Sequence, residues 1–385
     1  MSKKINKKVR KKFVERFNEE PLVVFSPGRI NLIGEHTDYN DGYAFPAAIN
    51  KGISAGITKS KTDFSTIVAL DKNEEYTFKV NEVAPLEKGG WRNYILGVVG
   101  EAQAKGYEIG NFNLSFSGNV PGGAGMSSSA ALENAIGFAL NELFQLNISK
   151  EELIYISQKA EHNYAGVHCG IMDQFASMFG EKKSALLLDC RNINAEVREF
   201  NLEGYKLILI NTNVKHDLSE SAYNKRRASC ERVAAKLRVK ALRDATEHDL
   251  NLIKDEISDD DYRKARYVIQ ENKRVNAFMK AAENSDIYSL GKLLYQSHEG
   301  LSKDYEVSCE ELDFLVELAK KSEAVVGARM MGGGFGGCTI NLVKKEGLDE
   351  FKKEVSLTFK EKFKRNCSIY KVKLSKGTHV VNLKN

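Results

Sequence analysis

The amino-acid sequence predicts an α+β protein of two lobes, and three observations support this prediction. The length of 385 residues exceeds that of one ordinary domain and suits two. Over about the first 200 residues, apolar runs typical of strands alternate with helical patterns, which we place at 93–105, 127–145, 150–163 and 171–180. From "YKLILINT" at residue 205 the chain is helix-rich to about residue 320, and strands follow at 338–343 and 368–374. We predict an N-terminal lobe over 1–200 and a C-terminal lobe over 205–385.

The first element is predicted to be an amphipathic helix. Residues 1–12 carry seven basic side chains and no acid, a pattern that also occurs in segments that bind nucleic acid or a membrane surface. Apolar side chains recur at helical spacing at Val9, Phe13, Val14 and Phe17. A helix with one buried stripe and a solvated lysine face is the simpler interpretation. We therefore expect neither a nucleic-acid partner nor a membrane partner.

Composition excludes several classes of protein. The hydrophobic fraction of 42% and the charged fraction of 28% are typical of a globular protein. No apolar stretch is long enough for a signal peptide or a membrane span, so we expect a cytoplasmic protein. The six cysteines form no CxxC pair, which argues against a zinc site and against a disulfide framework.

A short polar loop between two predicted strands is the first candidate site. The stretch "PGRINLIGEHTDYNDGY" (27–43) lies between "VVF" (23–25) and "AFPAAI" (44–49). Its charged and titratable residues are Arg29, Glu35, His36, Asp38 and Asp41. A solvated turn explains Asp41, because "NDG" is typical of turns. It does not explain Glu35 and His36 between apolar strands, so a binding role is favoured for them.

A glycine-rich loop that runs into a helix is the second candidate site. The strand pattern "FNLSFSGNV" (112–120) is followed by "PGGAGMSSS" (121–129) and then by apolar residues at helical spacing up to Leu143. The free N–H groups and the positive dipole end of such a helix bind anions. An ordinary serine-capped helix after a turn is the alternative for this stretch alone. The loop is not a P-loop, because the Gly-x-x-x-x-Gly-Lys-Ser/Thr pattern is absent.

A second glycine-rich stretch lies near the C-terminus. In "GARMMGGGFGGCTINLV" (327–343), five of the six residues at 332–337 are glycine. Glycines at this density cost conformational entropy, so they predict close approach of backbones. The stretch contains a Gly-x-Gly-x-x-Gly pattern, but a strand follows where a dinucleotide site needs a helix. A nicotinamide-dependent enzyme is therefore disfavoured.

An isolated acid marks the segment between the two glycine-rich stretches. In "AEHNYAGVHCGIMDQFASMFG" (160–180), Asp173 lies at the start of an otherwise apolar helix. A carboxylate there can simply stabilise the helix by interacting with the positive end of its dipole. It can equally be a functional group, and the segment by itself leaves both explanations open.

Taken together, these stretches resemble the GHMP small-molecule kinases. The acidic loop, "PGGAGMSSSAAL" and "MGGGFGGC" follow one another in the order of that superfamily, while "GRINLIGEHTDYNDG" and "CGIMDQF" are similar to its galactokinase family. The resemblance implies a mixed-sheet N-terminal lobe, a helix-rich α+β C-terminal lobe and an active site in the cleft between them. It also implies ATP-dependent phosphorylation of D-galactose at the C1 hydroxyl, the first committed step of galactose catabolism.

The resemblance also assigns the catalytic, ATP and metal sites. Asp173 would take the proton of the sugar hydroxyl or orient that hydroxyl, and Arg29 would stabilise phosphoryl charge and keep Asp173 ionised. Ser129 and Glu161 would bind Mg²⁺, with phosphate and water oxygens completing its shell. The residues that would hold the triphosphate of ATP are Gly123, Ala124, Gly125, Met126, Ser127, Ser128 and Ser129.

The sugar site follows from the same resemblance. Sugar hydroxyls both donate and accept hydrogen bonds, so carboxylates and imidazole suit them. The implied sugar-binding residues are Glu35, His36, Thr37, Asp38, Gly170 and Tyr223. We expect galactose and ATP as the small-molecule partners and a monomeric protein.

Two alternatives to a galactokinase activity share these motifs. An N-acetylgalactosamine kinase would differ in the room around C2 of the sugar. A catalytically weak galactose-sensing regulator belongs to a different class of protein. The intact "SSSAAL" segment, together with Arg29 and Asp173, favours catalysis over sensing.

Overall fold

A computed structural model of the chain confirms the α+β class. It describes residues 2–214 and 219–383, with side chains at 3–214 and 224–383. The strands and helices are α1 (Ser2–Phe17), β1 (Leu22–Asn31), β2 (Tyr43–Ala44), β3 (Pro46–Lys59), β4 (Ser65–Ala69), β5 (Glu74–Phe78), α2 (Trp91–Ala104), β6 (Phe112–Gly118), α3 (Ser128–Phe144), α4 (Lys150–Ala160), α5 (Met172–Phe179), β7 (Ser184–Asp189), β8 (Asn194–Glu199), β9 (Tyr205–Asn211), α6 (Ser219–Leu237), α7 (Glu247–Leu252), α8 (Asp259–Glu283), α9 (Ile287–Glu299), α10 (Glu310–Lys321), β10 (Val325–Met331), β11 (Cys338–Lys344), α11 (Leu348–Phe363), β12 (Ser368–Val372) and β13 (His379–Val380).

The first sheet is mixed, as the resemblance implied. Its strand order is β13-β1-β3-β6-β4-β5, with β4 parallel to β6 and the other neighbours antiparallel. Helices α2 to α5 pack against it around a core that includes Ile95, Leu114, Ile136 and Phe175. Burial of these apolar side chains is the main force that holds the helices on the sheet.

The amphipathic character of α1 is confirmed. Val9 and Phe13 are fully buried, while Lys3, Lys7 and Lys11 are exposed. The helix packs against β3 and β6 of the first sheet. None of the helices in the described part of the chain combines the length and the apolar character that a membrane crossing requires.

The second sheet is antiparallel, with strand order β10-β11-β9-β12. Helices α10 and α11 pack on it through Leu315, Phe351 and Phe359. A separate core joins Phe45 and Ile30 of the first 200 residues to later residues such as Phe278. The two halves of the chain therefore share one continuous apolar contact, beside which the candidate site forms.

Strand β1 positions the start of the candidate site. It pairs with β3 along its length, with a shift of register between Pro27 and Arg29. On its other edge it pairs with β13, so the end of the chain returns to the first sheet. The third sheet, β2-β7-β8, lies at the end of the polar loop. The lobe boundary at residues 200–205 stays a prediction.

Candidate active site

The two residues predicted to be catalytic lie in direct contact. Arg29 is near the end of β1, and Asp173 is in the first turn of α5. The Nε and Nη2 atoms of Arg29 donate to Oδ1 and Oδ2 of Asp173, at 2.7 and 2.8 Å. Burial by itself would lower the pKa of Arg29, but the carboxylates of Asp173 and Glu35 outweigh it and raise that pKa. A charged two-bonded pair of this kind fixes the orientation of both groups.

The carboxylate of Asp173 faces a small pocket. Its side chain is 25% exposed, whereas that of Arg29 is 6% exposed. The pocket encloses about 170 Å³, and its lining includes Arg29, Glu35, His36, Asp38, Glu161 and Asp173. An acid whose only role was a favourable interaction with the helix dipole would not need these partners. The structure therefore favours the functional explanation of Asp173 that the sequence left open.

The first glycine-rich loop is fixed by contacts with β1. Gly123 and Gly125 have φ of 69° and 67°, a region that glycine enters without a side-chain clash. The backbone N–H of Arg29 donates to the carbonyl of Met126 at 3.1 Å, and its Nη1 donates to the carbonyl of Gly125. The side chains of Ala124 and Met126 are buried. Of these two residues, therefore, only the backbone could contact a ligand, and the ATP contacts predicted for residues 123–129 stay a prediction.

The second glycine-rich stretch contacts both the first glycine-rich loop and the polar loop. A Cβ atom added to Gly125 would lie 3.0 Å from the carbonyl oxygen of Met331, and one at Gly337 would lie 3.4 Å from that of Gly123. The backbone N–H of Gly332 donates to Glu35 in the polar loop. The close backbone approach predicted from the glycine density is thus present in the structure.

The two predicted metal ligands lie within hydrogen-bonding distance. Ser129 in the first turn of α3 donates through Oγ to Oε1 of Glu161, at 3.1 Å. Glu161 begins a short π-helical segment, 161–165, that directly follows α4. Burial, with the nearby charge of Asp173, raises the pKa of Glu161 to about 7. A cation bound here would favour the ionised carboxylate.

These donors fit a magnesium ion that is bound together with a nucleotide. Hydroxyl and carboxylate oxygens are hard ligands, and Mg²⁺ usually takes one or two of them and fills its shell with water and phosphate. Within the described ranges, no group of three or more His, Cys, Asp or Glu side chains could hold a metal without such help. The site therefore suits a metal that arrives with ATP.

The sequence analysis missed two residues beside Glu161. Gln174 donates through Nε2 to Glu161 at 3.0 Å and to Glu133 at 3.2 Å. Glu133 is fully buried on α3, and its burial together with Glu161 raises its pKa well above the usual range. A raised pKa favours the uncharged form of the Glu133 carboxyl group. The available signal was an acid within the apolar run of "SSAALENAIGFAL".

In the polar loop, the carboxylate of Glu35 is held by protein groups. It accepts from Nη2 of Arg329 at 2.9 Å, from the side-chain amide of Asn31 and from the backbone of Gly332. Arg329 is fully buried, and its guanidinium also donates to the carbonyls of Leu32 and Met330. Sequence analysis gave Arg329 no role. Its pairing fixes Glu35 at the wall of the pocket.

His36 enters the pocket wall as a neutral imidazole. Burial, with the charge of Arg226, lowers the pKa of His36 to about 3. Its Nδ1 is 2.9 Å from the hydroxyl of Tyr39, which is 2.8 Å from the hydroxyl of Tyr305. A neutral ring can accept at one nitrogen and donate at the other, which suits a sugar hydroxyl.

Asp38 and Gly170 lie against each other at the pocket. A Cβ atom added to Gly170 would lie 2.0 Å from Oδ2 of Asp38, so only glycine fits there. Burial, with the charge of Asp173, raises the pKa of Asp38 to about 7. Because burial removes water from this carboxyl group, hydrogen bonds from the hydroxyl groups of a ligand would stabilise it.

The hydroxyl of Thr37 makes contacts within the loop. Its side chain is fully buried, and its hydroxyl is 2.9 Å from the carbonyl of Gly34 and 2.7 Å from that of Tyr43. The side chain therefore stabilises the loop, and the substrate contact predicted for Thr37 stays a prediction. The side chain of Tyr223 lies outside the described residues, so the prediction for it stays a prediction.

Sequence comparisons match the motifs on both sides of the pocket. Residues 93–181 match the GHMP kinase N-terminal domain, residues 278–361 the GHMP kinase C-terminal domain, and residues 11–59 the galactokinase galactose-binding signature. A galactokinase of Thermotoga petrophila is 42% identical over 364 residues, which cover 94% of this chain and all of that one. A galactokinase of Clostridium acetobutylicum is 40% identical over 370 residues, covering 94% and 95%.

Solved structures give the same result for the fold. The crystal structure of Lactococcus lactis galactokinase complexed with galactose has a TM-score of 0.93 and 37% identity, and it covers 97% of this chain and 98% of that one. The Methanococcus jannaschii mevalonate kinase has a TM-score of 0.67 at 19% identity over 92% of this chain and 98% of that one, a likeness of fold alone. From the extent and identity of these matches, the chain belongs to the galactokinase family of the GHMP kinases.

Proposed function

We propose that this enzyme transfers the γ-phosphoryl group of ATP to the C1 hydroxyl of D-galactose, giving galactose 1-phosphate and ADP. The observation that carries the proposal is the Arg29–Asp173 pair at a pocket that the polar loop and the second glycine-rich stretch also line. Family membership supports it, since the relatives named above are galactokinases and one of them was solved with galactose. Neither N-acetylgalactosamine kinase nor a sensing regulator gains support from the comparisons.

The proposed step needs one acceptor for a proton and one fixed positive charge. The C1 oxygen attacks the γ-phosphorus as the bond from that phosphorus to the β-bridging oxygen breaks, and the hydroxyl proton passes to Asp173. Arg29 lies beside the carboxylate and offers its charge to the phosphoryl group. Positioning and electrostatic stabilisation of this kind are the main means by which kinases accelerate the reaction.

The rest of the pocket would orient the two substrates. Glu35, His36 and Asp38, which line the pocket, would bind sugar hydroxyls together with the backbone of Gly170, and residues 123–129 would hold the triphosphate at the N-terminus of α3. Ser129 and Glu161 would hold Mg²⁺, which neutralises phosphate charge when bound. The magnesium ion, the monomeric state and the cytoplasmic location stay predictions.

An ATP-consumption assay across a panel of sugars tests this function. Purified protein is mixed with ATP, Mg²⁺ and either galactose, glucose or N-acetylgalactosamine, and the product is identified by mass and by NMR of the anomeric phosphate. We expect galactose to give the highest kcat/KM, with phosphate on C1. A higher value for N-acetylgalactosamine would replace the proposal with the alternative kinase, and binding without turnover would favour the sensor.

A further inference from the structure

The last described segment of the chain crosses from the second sheet to the first. We call residues 373–381 the C-terminal strap. It follows β12, and the N–H of Ser375 donates to the carbonyl of Ala48 in β3 at 2.9 Å. Farther along, the N–H of Val381 donates to the carbonyl of Val23 in β1 at 2.8 Å. The strap is thus hydrogen-bonded to two adjacent strands of the first sheet, β1 and β3.

The strap also closes the C-terminal end of α5. The last four carbonyls of a helix have no partner within it. The carbonyl of Ser177 accepts from both the backbone N–H and the Oγ1 of Thr378, each at 3.0 Å. The N–H of Gly377 donates to the carbonyl of Gly180 at 2.6 Å. The strap therefore supplies donors that the helix end itself lacks.

Three buried hydroxyl groups join the strap, α5 and β1. Ser26 and Ser177 are fully buried, and Thr378 is 1% exposed. Oγ of Ser26 lies 3.0 Å from Oγ of Ser177 and 2.8 Å from Oγ1 of Thr378, while Oγ of Ser177 donates to the carbonyl of Pro27 at 2.6 Å.

All three hydroxyl protons of this network take part in hydrogen bonds. Ser177 donates to Pro27 and Thr378 donates to the carbonyl of Ser177, so Ser26 donates to one of the other two hydroxyls. Each hydroxyl has one proton, and all three are used. Removal of the Thr378 hydroxyl therefore takes away one donor and one acceptor in a place that water does not reach.

The network lies one helical turn from the proposed catalytic pair. Ser177 is four residues after Asp173 on α5, so the two side chains share one face of the helix. Pro27 is two residues before Arg29 on β1. Strand and helix are thus joined at two levels, by the Arg29–Asp173 pair in the pocket and by the hydroxyl network behind it.

We propose that Thr378 is a positioning residue that sets the geometry of the Arg29–Asp173 pair through Ser177 and Ser26. This inference rests on the proposed function, because its kinetic effect is measured in galactose phosphorylation. Thr378 touches neither residue of the pair. Its hydroxyl holds α5 against β1, and a small displacement of a reacting group is enough to slow a phosphoryl transfer.

The test compares three variants in the full-length protein. Thr378→Val keeps the shape and removes the hydroxyl, and we expect kcat to fall by about 3- to 30-fold with smaller changes in both KM values. Thr378→Ser keeps the hydroxyl, and we expect kcat within about twofold of wild type, since no reacting group is displaced. Thr246→Val removes the side-chain cap of α7 far from the pocket, so it should lower Tm without changing kcat.

Two results would overturn the inference. One is a wild-type kcat for Thr378→Val at a temperature well below its Tm, and the other is an equal loss in Thr378→Ser, which would make packing the cause. A readout independent of the reaction is the NMR signal of the Arg29 Nε–H, which donates to Asp173 at 2.7 Å. It should shift in Thr378→Val and stay in place in Thr378→Ser. Absence of galactose turnover in wild type would reject the proposed function while this signal still tests the positioning role.

Discussion

Arg29 and Asp173 are 144 positions apart in the sequence and form two parallel hydrogen bonds, at 2.7 and 2.8 Å. The same carboxylate accepts a further bond from the hydroxyl of Ser127 at the end of the glycine-rich loop. A carboxylate held from two sides has little freedom to rotate. Its remaining lone pairs therefore point in fixed directions, and this is the property that a group needs to orient an attacking hydroxyl.

The first prediction concerns this carboxylate. Asp173→Asn should retain binding of galactose and ATP, measured by calorimetry, and lose about 10²- to 10⁴-fold in kcat, the usual weight of a general base. Asp189→Asn is the matched control, because Asp189 also pairs with an arginine, Arg243, at 2.5 Å but does not line the pocket. More than half of the wild-type kcat in Asp173→Asn would reject the assignment.

The second prediction concerns the metal. Removal of divalent ions should abolish turnover, and Glu161→Gln should raise the magnesium concentration that gives half-maximal rate, because an amide oxygen is a weaker ligand than a carboxylate. Glu151→Gln, at the exposed N-terminal end of α4, is the control. If the magnesium titrations of Glu161→Gln and wild type superimpose, Glu161 does not bind the metal.

The third prediction concerns the choice of sugar. Galactose differs from glucose only in the axial hydroxyl at C4, and a buried carboxylate can accept from two neighbouring hydroxyls. Asp38→Ala should weaken galactose far more than ATP and should narrow the galactose-to-glucose ratio in kcat/KM, since a site built around a hydroxyl discriminates strongly.

A control for this variant lies in the same loop. Asp41 pairs with Arg191 at 3.2 Å in the turn that follows, so Asp41→Ala should leave the ratio unchanged. An unchanged ratio in Asp38→Ala, with equal loss of both sugars, would mean that Asp38 only holds the loop. Tyr223 would then be the next residue to test for recognition of the C4 hydroxyl.

The fourth prediction concerns pH and the stability of the protein without substrates. The pKa of Asp38 is raised in the folded state to about 7, against an ordinary value of 3.8. Its stabilising contribution is therefore full below about pH 4 and is lost as the pH rises toward 7. The amide of Asp38→Asn does not ionise, so the variant does not lose this stability as the pH rises. The Tm of the variant minus the Tm of wild type should therefore increase from pH 4.5 to pH 7.5. A Tm difference that stays constant over this range would contradict the raised pKa.

The fold class and the family could be predicted from short stretches of the sequence. These features depend on neighbouring residues: the glycines of 122–125 and 332–337, the serines before α3, and the acid at the start of α5. Turns with positive φ and helix starts are local, so their residue types are readable from short stretches. The amphipathic first helix was likewise determined by the spacing of Val9 and Phe13.

Which polar groups form contacts depends instead on how distant segments of the chain pack together. The pairing of Glu35 with Arg329 joins residues 294 positions apart, and the contact of Ser26 with Thr378 spans 352. No local pattern marks such pairs, because the partner is selected by how the sheets pack. The hydroxyl of Thr37 is a further example, since the folded loop places it within hydrogen-bonding distance of the carbonyls of Gly34 and Tyr43.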